Sequence, residues 1–200
     1  MRTLLKLLVV PQAEYGCVIW HPRTQPQIKA IESIQRRFTR KFPCFWQYNG
    51  STLRYECHIS YKERLQVLKI FSLERRRERY IIILLYKVAI KVIINPGLII
   101  EVGQRGSWFF PRKFTTDNSI PAWIKNARNN GFHSTGPRIF NSLPRLLRAS
   151  VPPHNPLDPR SGKKMVNAFK TQLDKFLATI EDNPGTTSNS LLQRLRFDQQ

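Results

Sequence analysis

An apolar stripe with helical spacing runs from Gln27 to Phe42. Its members recur at steps of three or four residues, which places them on one face of an α-helix. They are Ile28, Ile31, Ile34, Phe38 and Phe42. The pattern predicts an amphipathic helix whose apolar stripe packs on a core.

The same segment carries five basic side chains outside the stripe. Three of them are predicted to project from the opposite face and two from its flank. The three are Lys29, Arg36 and Arg40, and the two are Arg37 and Lys41. Only Glu32 is present to offset their charge, so we expect this face to contact phosphates. The competing interpretation is a face that is merely solvated.

Basic side chains exceed acidic ones along the chain. The 200 residues include 33 Lys and Arg against 13 Asp and Glu, a formal net charge of +20. Such a chain repels itself unless it meets a polyanion, and nucleic acid is the commonest one. Residues 1–96 hold 18 of the basic side chains and six of the acidic ones. We therefore expect RNA or DNA to be contacted mainly there, through the phosphate backbone.

A capping box marks the start of the next predicted helix. The Ser60 oxygen can accept from the amide of Glu63 while the glutamate reaches back to Ser60. The helix is predicted to begin at Tyr61 and to bury Tyr61, Leu65 and Leu68.

A second helix start is predicted at Ser72. The charged residues 73–79 suit a solvated first half, and the apolar run beyond them is predicted to continue as helix up to Asn95-Pro96-Gly97. Several isoleucines in this run are β-branched, so a strand is the competing prediction.

Residues 97–160 mix prolines, glycines and aromatic side chains. This composition predicts an irregular lobe with short strands or turns, whose aromatic residues pack on the helices. The alternative is a stacking platform for single-stranded bases, with Trp108, Phe109 and Trp123 interleaved among basic side chains. Those basic side chains are Arg105, Arg112 and Lys113.

The three cysteines Cys17, Cys44 and Cys57 are an odd number without a C-x-x-C pair. This argues against a disulfide framework and a zinc ribbon, and it favours a reduced, intracellular compartment. Cys44, Cys57 and His58 could supply three metal ligands, but a fourth at useful spacing is missing. Ordinary buried thiols are the competing interpretation, and no metal site is predicted.

Two apolar segments, residues 4–10 and 80–94, are interrupted by lysines and are shorter than the ~20 residues that span a bilayer. Both are predicted to be buried helix faces, and no membrane partner is expected.

Short motifs occur in a fixed order along the chain. They are Pro11-Gln-Ala-Glu14-Tyr15-Gly16, Trp20-x-Pro22, Gln35-Arg36-Arg37-Phe38-Thr39-Arg40, Ser60-Tyr61-Lys-Glu63-Arg64-Leu65, Leu73-Glu74-Arg75-Arg76, Tyr86-Lys87, Phe140-Asn141-Ser-Leu143-Pro144 and Phe169-Lys170-x-x-Leu173-Asp174. Over residues 5–177 they resemble the segment that follows the catalytic palm in reverse transcriptases of non-LTR (LINE-type, jockey-like) retrotransposons. The resemblance implies a thumb-like segment of an RNA-directed DNA polymerase, and it marks no active-site residue here.

The predicted fold is mainly α, with a thumb-like helical bundle, an irregular lobe rich in proline and aromatic residues, and a disordered C-terminal tail. The predicted divisions are a basic helical region at 1–96, the lobe at 97–160, a docking helix at 161–180 and a flexible tail at 181–200. The docking helix is expected from Lys163 to Ile180, where apolar residues follow helical spacing.

Catalysis by the isolated chain is not predicted. Polymerases hold two metal ions with clustered acidic residues, whereas the five aspartates are scattered and the aromatic-x-Asp-Asp sequence of a palm is missing. None of the eight glutamates has an apolar sequence setting typical of a tuned acid or base. No catalytic residue, cofactor or metal is therefore predicted.

Two classes of function remain. The first is a template- and primer-binding segment of a reverse transcriptase whose palm is supplied in cis. The second is a free-standing basic nucleic-acid-binding or scaffold protein, or a non-functional retrotransposon remnant. Both imply a location inside the cell, in the nucleus, the cytoplasm or both.

Overall fold

The computed structural model describes residues 2–20, 22, 24–103, 106–111, 119–129, 131–149, 159–184 and 190–191. It is mainly helical, which confirms the predicted fold class. The chain forms two compact units, Met1–Arg77 with Asp182–Ser190 and Glu78–Glu181 with Leu191–Gln200. Within the described ranges, no helix is long and apolar enough to cross a membrane.

The first unit consists of helices and one β-hairpin. Its elements are α1 (Arg2–Leu4), a π-helical segment (Leu5–Val9), α2 (Val10–Glu14), α3 (Cys17–Trp20), α4 (Gln25–Arg40), a 3-10 turn (Pro43–Phe45), β1 (Trp46–Asn49), β2 (Arg54–Cys57), α5 (Tyr61–Leu68) and the first residues of α6 (Leu73–Ala89). Its core includes two apolar clusters among the described residues. Leu5, Val10, Ala13 and Leu73 make one, and Phe42, Phe45 and Leu68 make the other.

Helix α5 begins where the sequence predicts. The amide of Glu63 donates to the Ser60 oxygen, and the Glu63 carboxylate accepts from the Ser60 amide at 2.8 Å. Tyr61, Leu65 and Leu68 are buried, as predicted. The helix ends at Lys69, which has a left-handed backbone conformation with φ of 50°.

Helix α4 is rotated relative to the predicted stripe. Its buried face is centred on Ile28, Glu32, Gln35 and Thr39, while Ile34 is 46% exposed. The prediction that Ile34 is buried is therefore wrong. Polar residues take the buried positions because partners distant in sequence satisfy them, as when the Gln35 amide donates to the carbonyl of Phe71 at 3.1 Å.

The second unit contains the rest of α6, two short strands and four helices in its described part. The elements are β3 (Glu101–Val102), β4 (Trp108–Phe109), α7 (Ala122–Asn129), α8 (Phe132–Asn141), α9 (Arg145–Ala149) and α10 (Pro159–Thr179). The two strands pair antiparallel. Residues 97–160 are thus more regular than the predicted lobe, since they include three helices. Helix α10 confirms the predicted last helix and begins four residues earlier, at Pro159.

Helix α6 differs from its prediction in two ways. Its charged first half is buried at Glu74, Arg75, Arg77 and Glu78, so the predicted solvated half is wrong. The Glu78 carboxylate, for example, accepts from an amide more than 100 residues away. The helix also ends at Ala89 and not at Asn95, because Lys91 takes a left-handed conformation with φ of 60°.

The N-terminal apolar segment is helical but only partly buried. Leu5 and Val10 lie in the core, whereas Leu4, Leu7 and Leu8 are exposed. The predicted tail, residues 181–200, falls largely outside the described residues.

Residues of the ordered motifs contact one another within each unit. In the first unit, Glu14 forms an ion pair with Arg76. In the second unit, the rings of Tyr86 and Phe169 stack with centroids 3.8 Å apart. Two other motif residues there bond residues outside the motifs. Asp174 is paired with Arg79, at 2.8 Å between Nη2 and Oδ2. The Asn141 side chain bonds both backbone groups of Phe110. These motif residues therefore stabilise the fold of each unit.

Candidate nucleic-acid interface

The five basic residues predicted to contact phosphates are all exposed on or next to α4. At 3.6 residues per turn, three of them fall within an arc of about 40°, and the other two lie further round the helix. The three are Lys29, Arg36 and Arg40, and the two are Arg37 and Lys41. None of the five forms an ion pair with an acidic side chain in the described part of the chain.

Glu32, the one acidic residue of α4, is buried and does not lie on this surface. It is 1% exposed, and its carboxylate accepts three hydrogen bonds. The Tyr61 hydroxyl donates at 2.5 Å, and the amides of Leu73 and Glu74 donate at 3.2 Å each. The two amides belong to the first turn of α6, where backbone donors have no partner within the helix. Glu32 therefore caps α6 and does not offset the exposed cations of α4.

The pKa values of Glu32 and of its partner Tyr61 reflect their burial. Burial raises the pKa of the Glu32 carboxyl above its ordinary value, by more than the hydrogen bonds from Tyr61 and Leu73 lower it. Burial and the neighbouring Glu32 carboxylate also raise the pKa of Tyr61, so its hydroxyl keeps its proton and donates. The sequence does not indicate the burial of Glu32, because its hydrogen-bond partners come from residues 61–74.

A groove of about 790 Å³ lies beside α4 in the first unit. Arg36 and Arg40 line it from α4, and the hairpin lines it with Trp46 and Tyr55. The Arg36 guanidinium lies over the ring of Tyr61, 5.1 Å from its centroid, which holds this cation at the groove.

Arg64 also lines the groove and was not predicted as a site residue. Its side chain is buried, and it donates to the carbonyl of Ile59 at 2.7 Å and to the Thr39 hydroxyl at 3.3 Å. A third bond runs to the Cys57 sulfur at 3.3 Å. Because these acceptors are neutral, they hold the guanidinium in place without cancelling its charge.

The hairpin that borders the groove was also missed by the sequence analysis. Two signals were available, an aromatic residue at every second position in Trp46-x-Tyr48 and the turn dipeptide Asn49-Gly50. In the structure, the side chain of Asn49 accepts from the amide of Ser51 at 3.0 Å, which closes the turn.

The predicted stacking platform is not tested by the structure, because part of it lies outside the described residues. Trp123 is 72% exposed, and Trp108 and Phe109 are half-buried, whereas Arg105, Arg112 and Lys113 lie outside the described residues. The stacking platform predicted from these residues therefore stays a prediction. The three cysteines are free, and Cys44 is exposed, so the prediction of a buried thiol is wrong there. No group of three metal-ligating side chains occurs in the portion of the chain that is described.

Comparison of the chain with protein-family models, curated proteins and solved structures finds no match.

Proposed function

We propose that this chain is a palm-less, nucleic-acid-binding segment of a non-LTR retrotransposon reverse transcriptase. It binds template and primer through phosphate contacts from the basic face of α4. One observation carries the proposal: α4 and Lys41, which follows it, expose five cations, while the single acidic residue of α4, Glu32, is buried and bonded elsewhere.

The chemistry of the face favours phosphates over base edges. A cation that neutralises a phosphate releases a bound counterion, so affinity depends steeply on salt and little on sequence. Arginine and lysine supply donors without acceptors, which matches phosphate oxygens. The net charge of +20 adds long-range attraction for any polyanion.

The family assignment rests on the ordered motifs. Its support is that motif residues distant in sequence meet within a unit, as Glu14 and Arg76 do in one and Tyr86 and Phe169 in the other. A polymerase palm supplied in cis would complete the enzyme, which would work where its template lies, in the nucleus or the cytoplasm. Reading the nucleotides 5′ of the Met1 codon tests this assignment, because a frame that encodes a palm and an endonuclease is expected there.

Binding is tested by comparing two triple variants that remove equal charge. The site variant is Arg36→Gln, Arg37→Gln and Arg40→Gln, and the control on α10 is Lys163→Gln, Lys164→Gln and Lys175→Gln. All six side chains are exposed, so neither variant should lose stability. Affinity for a 20-nucleotide RNA and for a DNA duplex is measured between roughly 50 and 200 mM salt.

The wild type and the α10 control should show a steep negative salt slope. The α4 variant should bind more weakly, with a slope smaller by about one unit for each lost phosphate contact. A flat salt response of the wild type contradicts nucleic-acid binding. Equal losses in both variants contradict the assignment to α4, since net charge alone would then account for binding.

A further inference from the structure

The hairpin of the first unit presents three aromatic side chains on one face. Trp46 and Tyr48 are two residues apart on β1, so they point to the same side of the strand. Tyr48 lies directly opposite Tyr55 on β2, and their ring centroids are 5.4 Å apart. The three residues, termed here the aromatic face, are Trp46, Tyr48 and Tyr55.

These rings are open to solvent although they belong to a folded element. Trp46 is 42% exposed, Tyr48 55% and Tyr55 65%. Large aromatic side chains bury 150–250 Å² each when packed, as a rough guide, so three neighbours left exposed mark a surface that meets a partner.

The aromatic face is fixed next to the cations of α4. The indole nitrogen of Trp46 donates to the backbone carbonyl of Arg40 at 2.5 Å, which attaches the ring to the end of that helix. Tyr55 and Trp46 line the same groove as Arg36, Arg40 and Arg64. One acidic residue, Glu56, also lines this groove, and its carboxylate accepts from Thr52 and Asn49 of the hairpin turn. Positive charge therefore exceeds negative charge where the rings are exposed.

We infer that the aromatic face and the groove bind single-stranded nucleic acid, with unpaired bases stacked on Trp46, Tyr48 and Tyr55 and the backbone phosphates held by the exposed Arg36 and Arg40. This inference rests on the proposed function and adds to it a preference for unpaired strands. Exposed rings beside a positively charged groove are the combination that stacks bases without reading their sequence. A base inside a duplex has both faces covered by its neighbours, so the rings gain little from it.

The test uses a pair of ring variants that change no charge. Trp46→Leu with Tyr55→Leu keeps apolar side chains but removes the π faces, and Trp46→Phe with Tyr55→Phe restores the rings. The matched control, Tyr15→Leu with Tyr80→Leu, removes two tyrosines that are exposed elsewhere and belong to no predicted binding site. Affinities are measured for a single-stranded 20-nucleotide DNA, the same RNA and a blunt DNA duplex, each at several salt concentrations, with helicity followed by circular dichroism.

The leucine pair should weaken single-strand binding roughly tenfold or more, from the loss of stacking on two rings. Duplex affinity should stay within about twofold of wild type, and the salt slope within about half a unit, because no phosphate contact is lost. The phenylalanine pair should recover most of the single-strand affinity, and the control should match wild type.

Crosslinking of the wild type keeps the test independent of any folding defect in the variants. A single strand carrying 5-iododeoxyuridine should crosslink to Trp46, Tyr48 or Tyr55, as located by mass spectrometry. Crosslinks found only outside the hairpin overturn the inference, as does a leucine pair that binds single strands like wild type. If the wild type still binds with a steep salt slope, either of these results leaves the proposed function unaffected. A wild type that binds neither single strands nor duplexes contradicts both the inference and the proposed function.

Discussion

The Tyr61 hydroxyl on α5 donates a 2.5 Å hydrogen bond to the Glu32 carboxylate on α4. The same carboxylate accepts from the first amides of α6, so one side chain joins three helices of the first unit. The bond explains how α4, which together with Lys41 presents five exposed cations, is held in the fold: its acidic residue is bonded inside the unit while the basic residues face solvent.

Replacing Glu32 should destabilise the first unit. Glu32→Ala leaves the Tyr61 hydroxyl and the amides of Leu73 and Glu74 buried without their acceptor, at a cost of about 1–3 kcal/mol for each group that water cannot reach. Tyr61→Phe is the matched control, because it removes one donor and leaves both amides bonded; about 0.5–1.5 kcal/mol is expected. Urea denaturation measures the free energy of unfolding of both variants. A larger loss for Tyr61→Phe than for Glu32→Ala contradicts the capping role.

The contribution of Glu32 should depend on pH. Because its folded pKa is raised above the ordinary value of 4.5, folding favours the protonated form. Its stabilisation is therefore fully present below pH 4.5 and is lost as pH rises through the raised folded pKa. The difference in unfolding free energy between wild type and Glu32→Gln, which cannot ionise, should shrink as pH rises above 4.5. Denaturation at four pH values checks this, and a difference that grows with pH contradicts it.

Two isoleucines of the predicted stripe should respond differently to truncation. Ile28 is buried, so Ile28→Ala should cost roughly 2–5 kcal/mol through lost packing and a residual cavity. Ile34→Ala changes a largely exposed position and should stay within about 0.5 kcal/mol of wild type. Thermal or urea unfolding distinguishes them. Equal losses would indicate that α4 packs with the stripe inward, as the periodicity alone predicts.

The three free cysteines should be alkylated in a set order. Cys44 is exposed and should react first, whereas Cys17 is buried. Burial, with a smaller effect from the charge of Glu14, raises the pKa of the Cys17 thiol and so lowers its thiolate fraction. Timed labelling with iodoacetamide and mass spectrometry should find Cys17 modified last, and modified quickly only in denaturant. Early modification of Cys17 in the native protein contradicts its placement.

Local signals in the sequence predicted local structure well. The capping box of Ser60 and Glu63 starts α5 as predicted, and the apolar spacing near the C-terminus predicts α10 within a few residues. The exposure of all five candidate cations was also predicted, because long charged side chains rarely find buried partners. The hairpin was missed although its alternation and turn residues were present, since four-residue strands carry a weak signal.

The local sequence is enough to predict helices α4, α5 and α10, the excess of positive charge and the basic residues of α4, since capping, periodicity and charge are properties of neighbouring residues. Which face of α4 is buried depends on tertiary contacts, because Glu32, Gln35 and Thr39 are stabilised inside by partners 25 to 42 residues away. Tertiary contacts also bring Arg64, Trp46 and Tyr55 to the same groove as Arg36 and Arg40. A hydrogen bond satisfies a buried polar group wherever its partner lies along the chain, so no local pattern records it.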